Sequence, residues 1–299
     1  MRAFDAYLMV DWSAASTAKT GETSIWYCLR TRDTQLDLDR TCNPPTRHQA
    51  MKEIKELLVA LSDRGIVTLV GFDFPYSYPI GFSEALGLAE GPRWKGIWKK
   101  ITSLITDTAK NGNNRFQVAS ALNKRITGQK GPFWGCPATE VTKFLSTRKS
   151  DSMQPEALAE FRITESRRNG LKSVWQLYYN GSVGSQALMG IPYLLALRAD
   201  PRLSEVSTVW PFETGFCSLN SESLSGRLIV HAEIYPSLIQ AKVPTGQVKD
   251  QAQVEALAEY FSTLDAENRL AGLFDAPEGL SDNERIAAES AEGWILGMP

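Results

Sequence analysis

Histidine and cysteine are scarce in this chain of 299 residues. The two histidines (His48 and His231) and four cysteines (Cys28, Cys42, Cys136 and Cys217) form no C-x-x-C pair or Cys/His cluster. A zinc site of imidazole and thiolate therefore has no sequence basis, and any metal would be a hard cation on carboxylate oxygens. The scattered cysteines also exclude a disulfide framework and read as reduced thiols. An excess of charge of one sign is missing too. Lys and Arg number 32 against 34 Asp and Glu, leaving a net charge of -2, so no overall field draws the protein to a nucleic-acid duplex or to anionic lipid. Long hydrophobic runs are absent. None approaches the roughly 18 residues of a membrane span, and the stretch from Ala6 to Val10 is too short for a signal sequence and ends in Asp11. The expectation is a cytoplasmic protein without a membrane partner.

What is present is ordinary globular composition, 43% hydrophobic and 22% charged, which excludes disordered and collagen-like classes. The first third reads β-β-β-α-β. Tyr7–Val10 is a short continuous apolar run suited to a central strand, Ser24–Leu29 is rich in β-formers, and Leu36–Asp39 alternates like an edge strand. Thr46 offers an N-cap for a helix with Ile54, Leu57, Leu58 and Leu61 at helical spacing, stopped at Gly65. Ile66–Phe72 is a second continuous apolar strand running into Asp73. From Phe82 to Arg198 the patterns are helical, over Trp94–Lys110, Asn114–Ile126, Pro155–Arg168 and Gly184–Ala199. Strands return at Ser207–Phe212 and Leu228–Ile234, followed by helices at Lys249–Leu264 and near Asn283–Glu292. The expected organisation is an α/β core formed by residues 1–81 and 201–299, with a helical insertion or cap over 82–200.

Carboxylates recur at the strand ends. Asp11 ends the first apolar strand, Asp73 the fourth, and Glu233 lies near the end of Leu228–Ile234. In an open α/β sheet those ends line the ligand crevice. Asp250 joins them through helix geometry, because Asp250, Val254, Leu257, Phe261 and Leu264 are spaced 4, 3, 4, 3 and share one face. Each acid alone has a plain structural use: a turn cap for Asp11, a turn into Pro75 for Asp73, a buried arginine partner for Glu233 and dipole compensation for Asp250. Together, apolar strands ending in acids are costly without a cation, a proton or a substrate to balance them.

This layout resembles the ribonuclease H-like superfamily. More closely, Val10–Ser16 (VDWSAAS), Gly71–Pro79 (GFDFPYSYP), Ala232–Ser237 (AEIYPS), Lys249–Ala258 (KDQAQVEALA) and Glu292–Gly297 (EGWILG) resemble a bacterial family of predicted nucleases with that fold. The resemblance implies a mixed sheet with a β-β-β-α-β-α-β-α core. It implies Asp11, Asp73, Glu233 and Asp250 as catalytic, metal-binding acids for Mg²⁺ or Mn²⁺, in a two-metal phosphoryl displacement. One departure is visible: where such helices often carry clustered acids, Asp250 is followed by Gln251 and Gln253.

The charge balance favours a small or single-stranded phosphate-containing substrate over a long duplex. Ser13, Lys95, Arg162 and Arg168 are the candidate substrate-binding residues. Lys95 lies in Arg93–Lys100, where basic residues alternate with Trp94 and Trp98. This segment suits a single-stranded nucleic acid, or simply an amphipathic helix with its tryptophans inside. Arg162 reaches either into the crevice or to Glu165 three residues on. The Gly181–Gln186 turn opens a helix and offers either an anion site or plain capping. Two other functions stay open. One is a non-catalytic module binding a nucleotide or another anionic small molecule. The other is an actin-like ATP phosphotransferase, which Asp11-Trp12-Ser13 and Lys19 suit but which lacks a second Gly-rich D-x-G loop.

Overall fold

The computed structural model describes residues 2–33, 37–88, 91–149 and 158–299. Six strands form one mixed sheet: β1 (Ala6–Asp11), β2 (Trp26–Thr31), β3 (Arg40–Cys42), β4 (Thr68–Phe72), β5 (Ser207–Val209) and β6 (Ile229–Glu233). Their order across the sheet is β3-β2-β1-β4-β6-β5. β2 runs antiparallel to both β1 and β3, while β1, β4, β6 and β5 are mutually parallel. The parallel strands are buried on both faces, which is why β1 and β4 read as unbroken apolar runs.

Eight α-helices accompany the sheet among the described residues: α1 (Arg47–Ser62), α2 (Phe82–Ala85), α3 (Arg93–Leu104), α4 (Arg115–Thr127), α5 (Ile163–Ser166), α6 (Gly184–Arg198), α7 (Lys249–Ala266) and α8 (Asp282–Ala287). Side-chain alternation divides them into layers. Ala6, Leu8 and Val10 join α1, α3 and α6 in one core, while Tyr7 and Met9 join α7 in the other. The molecule is thus an α/β protein with apolar cores on both faces of a mixed sheet. No described helix is long and apolar enough to cross a membrane, and the four cysteines are free thiols.

Several boundaries differ from the sequence expectation. The third strand is Arg40–Cys42 rather than Leu36–Asp39. Asp39 accepts hydrogen bonds from the Thr31 amide and hydroxyl, both at 2.6 Å, and so closes the turn before that strand; Leu36 lies outside the described residues. The helix expected over Trp94–Lys110 stops at Leu104, where the Asn114 side chain bonds Leu104 O and Thr106 N and a bridge joins Asp107 to Asn113. Of the helix expected over Pro155–Arg168, only the turn Ile163–Ser166 is helical among the described residues, and residues 155–157 fall outside them. α1 begins as expected, with Thr46 Oγ1 accepting the Gln49 amide at 3.2 Å.

Candidate functional site

The site is set by sheet register. Val10 pairs with Phe72, and the Asp73 amide continues the ladder by donating to Val10 O at 3.2 Å. Asp11 and Asp73 therefore sit side by side at the carboxyl ends of adjacent parallel strands, on the face covered by α7. The Asp73 carboxylate accepts the Trp12 amide at 2.7 Å. The first turn of α7 delivers Asp250, whose carboxylate accepts the Thr23 amide at 2.6 Å. All three acids line one cleft of about 950 Å³.

Their proximity is costly. Burial, then repulsion from Asp73 and Asp250, holds the Asp11 carboxyl well above the usual carboxylate range. Burial pushes Asp73 up to about 7 against the hydrogen bonds it accepts from Trp12 and Asp11. The hydrogen bond between them raises Asp11 and lowers Asp73, so the two carboxyls titrate together as one pair. Among the described residues, no three Asp, Glu, His or Cys groups stand arranged as a cation site.

Glu233 takes another direction. It pairs in register with Phe72, one residue short of the level of Asp73, so its side chain leaves the sheet on the opposite face. There it forms a bidentate pair with Arg162 at 2.6 and 2.8 Å and accepts the Tyr76 amide at 2.9 Å. Glu233 borders a smaller recess of about 270 Å³ that also reaches Asp73, but its charge is already matched.

The expected substrate-binding residues fare unequally. Ser13 lines the cleft. Arg162 is fully buried between Glu165 and Glu233, so the pairing at three residues' spacing holds and no guanidinium reaches the crevice from there. Lys95 lies on the exposed side of α3, whose Trp94, Ile97 and Trp98 are buried, and it does not line the cleft. Arg168 is exposed, donating to Ser237 O at 3.1 Å and lying over the Tyr235 ring.

The wall opposite the acids carries groups that the sequence motifs did not single out. Arg115 at the start of α4, Lys172, and Tyr178 and Tyr179 face the same cleft, next to the first turn of α6. Arg115 is buried, and that burial, with Arg47 nearby, lowers its pKa to about 10, leaving it a cation at neutral pH. Lys172 and the tyrosines lie just upstream of Gly181–Gln186, so a search widened around that turn would have met them. Arg115 follows two asparagines and carries no such signal.

Arg47 supports the loop after β1 from below. It pairs with Asp107 at 2.6 and 2.7 Å, its Nη1 holds Ser13 O at 2.9 Å and Ala15 O at 2.8 Å, and its Nη2 also holds Asn111 O at 2.9 Å. Gln186 of α6 ties Trp12 O to the far wall at 2.6 Å. The loop that follows Asp11 is thereby fixed to both sides of the cleft.

Fold and site together define an α/β protein with an acidic cleft at the carboxyl ends of parallel strands, faced by a cationic and aromatic wall. Comparison with family models, curated proteins and solved structures finds no match for the chain.

Proposed function

We propose that this chain is a divalent-metal-dependent phosphodiesterase of ribonuclease H-like architecture, acting on a small or single-stranded phosphate-containing substrate. The observation that carries the proposal is the convergence of Asp11, Asp73 and Asp250 in one cleft with Arg115 and Lys172. An antiparallel β1–β2–β3 meander beside parallel β1, β4 and β6, with acids on β1, after β4 and on a late helix, supports the architecture.

The donor set suits Mg²⁺ or Mn²⁺ in its chemistry: hard oxygens, mutually repelling, half-buried and open to the cleft. Asp11 and Asp73 would hold the cation, with Asp250 beside them, and once bound it would supply Lewis-acid polarisation of a phosphate and a more acidic water. The rest falls to the chain. Arg115 and Lys172 would orient the phosphate, the Arg47-held loop would keep Asp11 in place, and the half-buried floor would limit competing water. Gln251 and Gln253, where a second helix acid would stand, favour a site with fewer ligands than a full two-metal centre. A non-catalytic anion-binding module is the second reading, favoured by the acids not standing as a ready-made cation site among the described residues.

Hydrolysis of bis(p-nitrophenyl) phosphate in Mn²⁺ or Mg²⁺ tests the proposal, alongside calorimetric titration of Mn²⁺ itself. Asp11→Asn and Asp73→Asn should each lower turnover by about a hundredfold or more and weaken Mn²⁺ binding. Glu233→Gln should lower stability, because it breaks a buried pair, while turnover per folded molecule holds. Wild-type turnover in Asp11→Asn would remove metal catalysis at these acids.

A further inference from the structure

Three arginines are buried among the described residues, and two are matched by acids. Arg47 has Asp107, and Arg162 has Glu165 and Glu233. Among the described residues, Arg115 has no carboxylate within ion-pair distance. Its Nε donates to Ser185 Oγ at 3.0 Å, and its Nη1 to Ser16 Oγ and Asn113 Oδ1, both at 2.8 Å, all neutral oxygens. Glu140 is felt only through space and is itself hydrogen-bonded to Gln117. Nη2 has no partner among the described residues. A buried guanidinium without a counter-charge is an expensive arrangement, and this one lines the cleft. An anion entering there completes it.

Neighbouring groups agree. Lys172 is exposed, borders the cleft and makes no ion pair among the described residues. In the first turn of α6, the Ser185 and Gln186 amides have no backbone acceptor there, which adds partial positive charge at the same wall. Beside these cations the wall turns aromatic. Tyr178 and Tyr179 are 42% and 50% exposed, with ring centroids 5.1 Å apart. Tyr178 is backed by Phe116, whose ring also carries the Arg115 guanidinium 4.3 Å from its centroid. Tyr179 takes a positive φ of 82°, which a bulky side chain adopts only when its surroundings hold it. Here the Ser182 amide bonds Tyr179 O at 3.1 Å, and Gln176 bonds Tyr178 O at 3.1 Å.

We infer that this wall is a nucleoside-phosphate subsite, in which Arg115 and Lys172 seat a phosphate and Tyr178 and Tyr179 stack the adjoining base. The inference rests on the hydrolase reading of the same cleft and names its substrate class. Every base offers a π face to an aromatic ring, so such a site is tolerant of sequence. A cleft of about 950 Å³ has the size of a ligand pocket for one or two nucleotides and is too small for a duplex.

The test is calorimetric titration with a 5′-phosphorylated thymidine dinucleotide and with deoxyribose 5-phosphate, each in Ca²⁺ buffer. Tyr178→Ala/Tyr179→Ala should weaken dinucleotide binding by about tenfold or more and leave the sugar phosphate unaffected, and the Tyr178→Phe/Tyr179→Phe variant should bind like wild type. Arg115→Gln should weaken both ligands. Lys172→Gln, an exposed change that spares the fold, should do the same. Unchanged dinucleotide affinity in the double alanine variant overturns the inference. So does equal affinity of wild type for the two ligands, or binding of neither. The expected binding pattern without hydrolysis in Mn²⁺ would leave the subsite standing and remove the hydrolase. Hydrolysis with the alanine variant binding normally would do the reverse.

Discussion

His231 sits in the middle of β6, fully buried, with neither ring nitrogen hydrogen-bonded among the described residues. Burial, helped by the positive charge of Arg198, lowers its pKa to about 3. The folded protein thus keeps the imidazole neutral where the unfolded chain, titrating near pH 6.5, takes up a proton. The stabilising contribution is complete above that pH and is lost as the pH falls toward 3. The expected loss by pH 5 is about 2 kcal/mol from this group. Urea denaturation of wild type and His231→Leu at pH 8 and pH 5 measures it: the substitution should flatten the difference by that amount. An equal pH slope in both proteins would show the ring to be hydrated or paired. Among the acids the same physics separates two outcomes. Arg162 matches Glu233 in a bidentate pair, whereas among the described residues no arginine or lysine forms an ion pair with Asp11 or Asp73. That difference makes the aspartates, and not Glu233, the chemically available groups.

Helix α6 is the element that makes the cleft. It is apolar and mostly buried, packs against α3, α4 and β5, and begins where the cationic wall begins. Two glycines permit this approach. A Cβ on Gly184 would stand 2.3 Å from Val174 O, and one on Gly190 would stand 2.4–2.6 Å from the Phe74 ring. Phe74 follows Asp73 directly and is locked among Trp12, Phe72 and Tyr76, so it has little room to turn. Gly190→Ala should therefore cost about 1–3 kcal/mol by overpacking, despite alanine's better helix propensity. Thermal unfolding should show a lowered midpoint; an unchanged or raised midpoint would mean that the aromatic cluster gives way freely. The helix itself was legible from its sequence, over Gly184–Ala199 against an observed Gly184–Arg198. Its closeness to Phe74 was not, because nothing in a helical pattern says which distant residues it will meet. The strands behaved similarly. Apolar runs marked β1, β4 and β6, but the weakly apolar Arg40–Cys42 offered no such run, and its pairing with β2 alone identifies it.

Over the whole molecule the near-neutral charge has a measurable consequence. With Arg115 and Lys172 as the two cations of the cleft wall, nucleotide binding should depend only weakly on salt. The expected slope of log K against log [salt] is about -1.4, from roughly 0.7 per neutralised phosphate. Titrations of a short single-stranded oligonucleotide between low and moderate salt would give the value, and a slope several times steeper would require a broader basic surface than Arg115 and Lys172 provide. The scarcity of histidine and cysteine, the charge balance and the spacing along α7 together determined that any metal chemistry would fall to carboxylates, and three of the four proposed acids do share a cleft. Those features are local or compositional, and a sequence carries them directly. Which face each acid takes depends on pairing register between strands far apart in the chain: one residue of offset sent Glu233 to Arg162 and left Asp11 and Asp73 together. The opposite wall, with Arg115, Lys172 and the two tyrosines, is drawn from separate turns and helix starts with no shared periodicity. Only the tertiary structure decided it, because a binding surface assembled across the chain is a matter of distances in space that no spacing in sequence encodes.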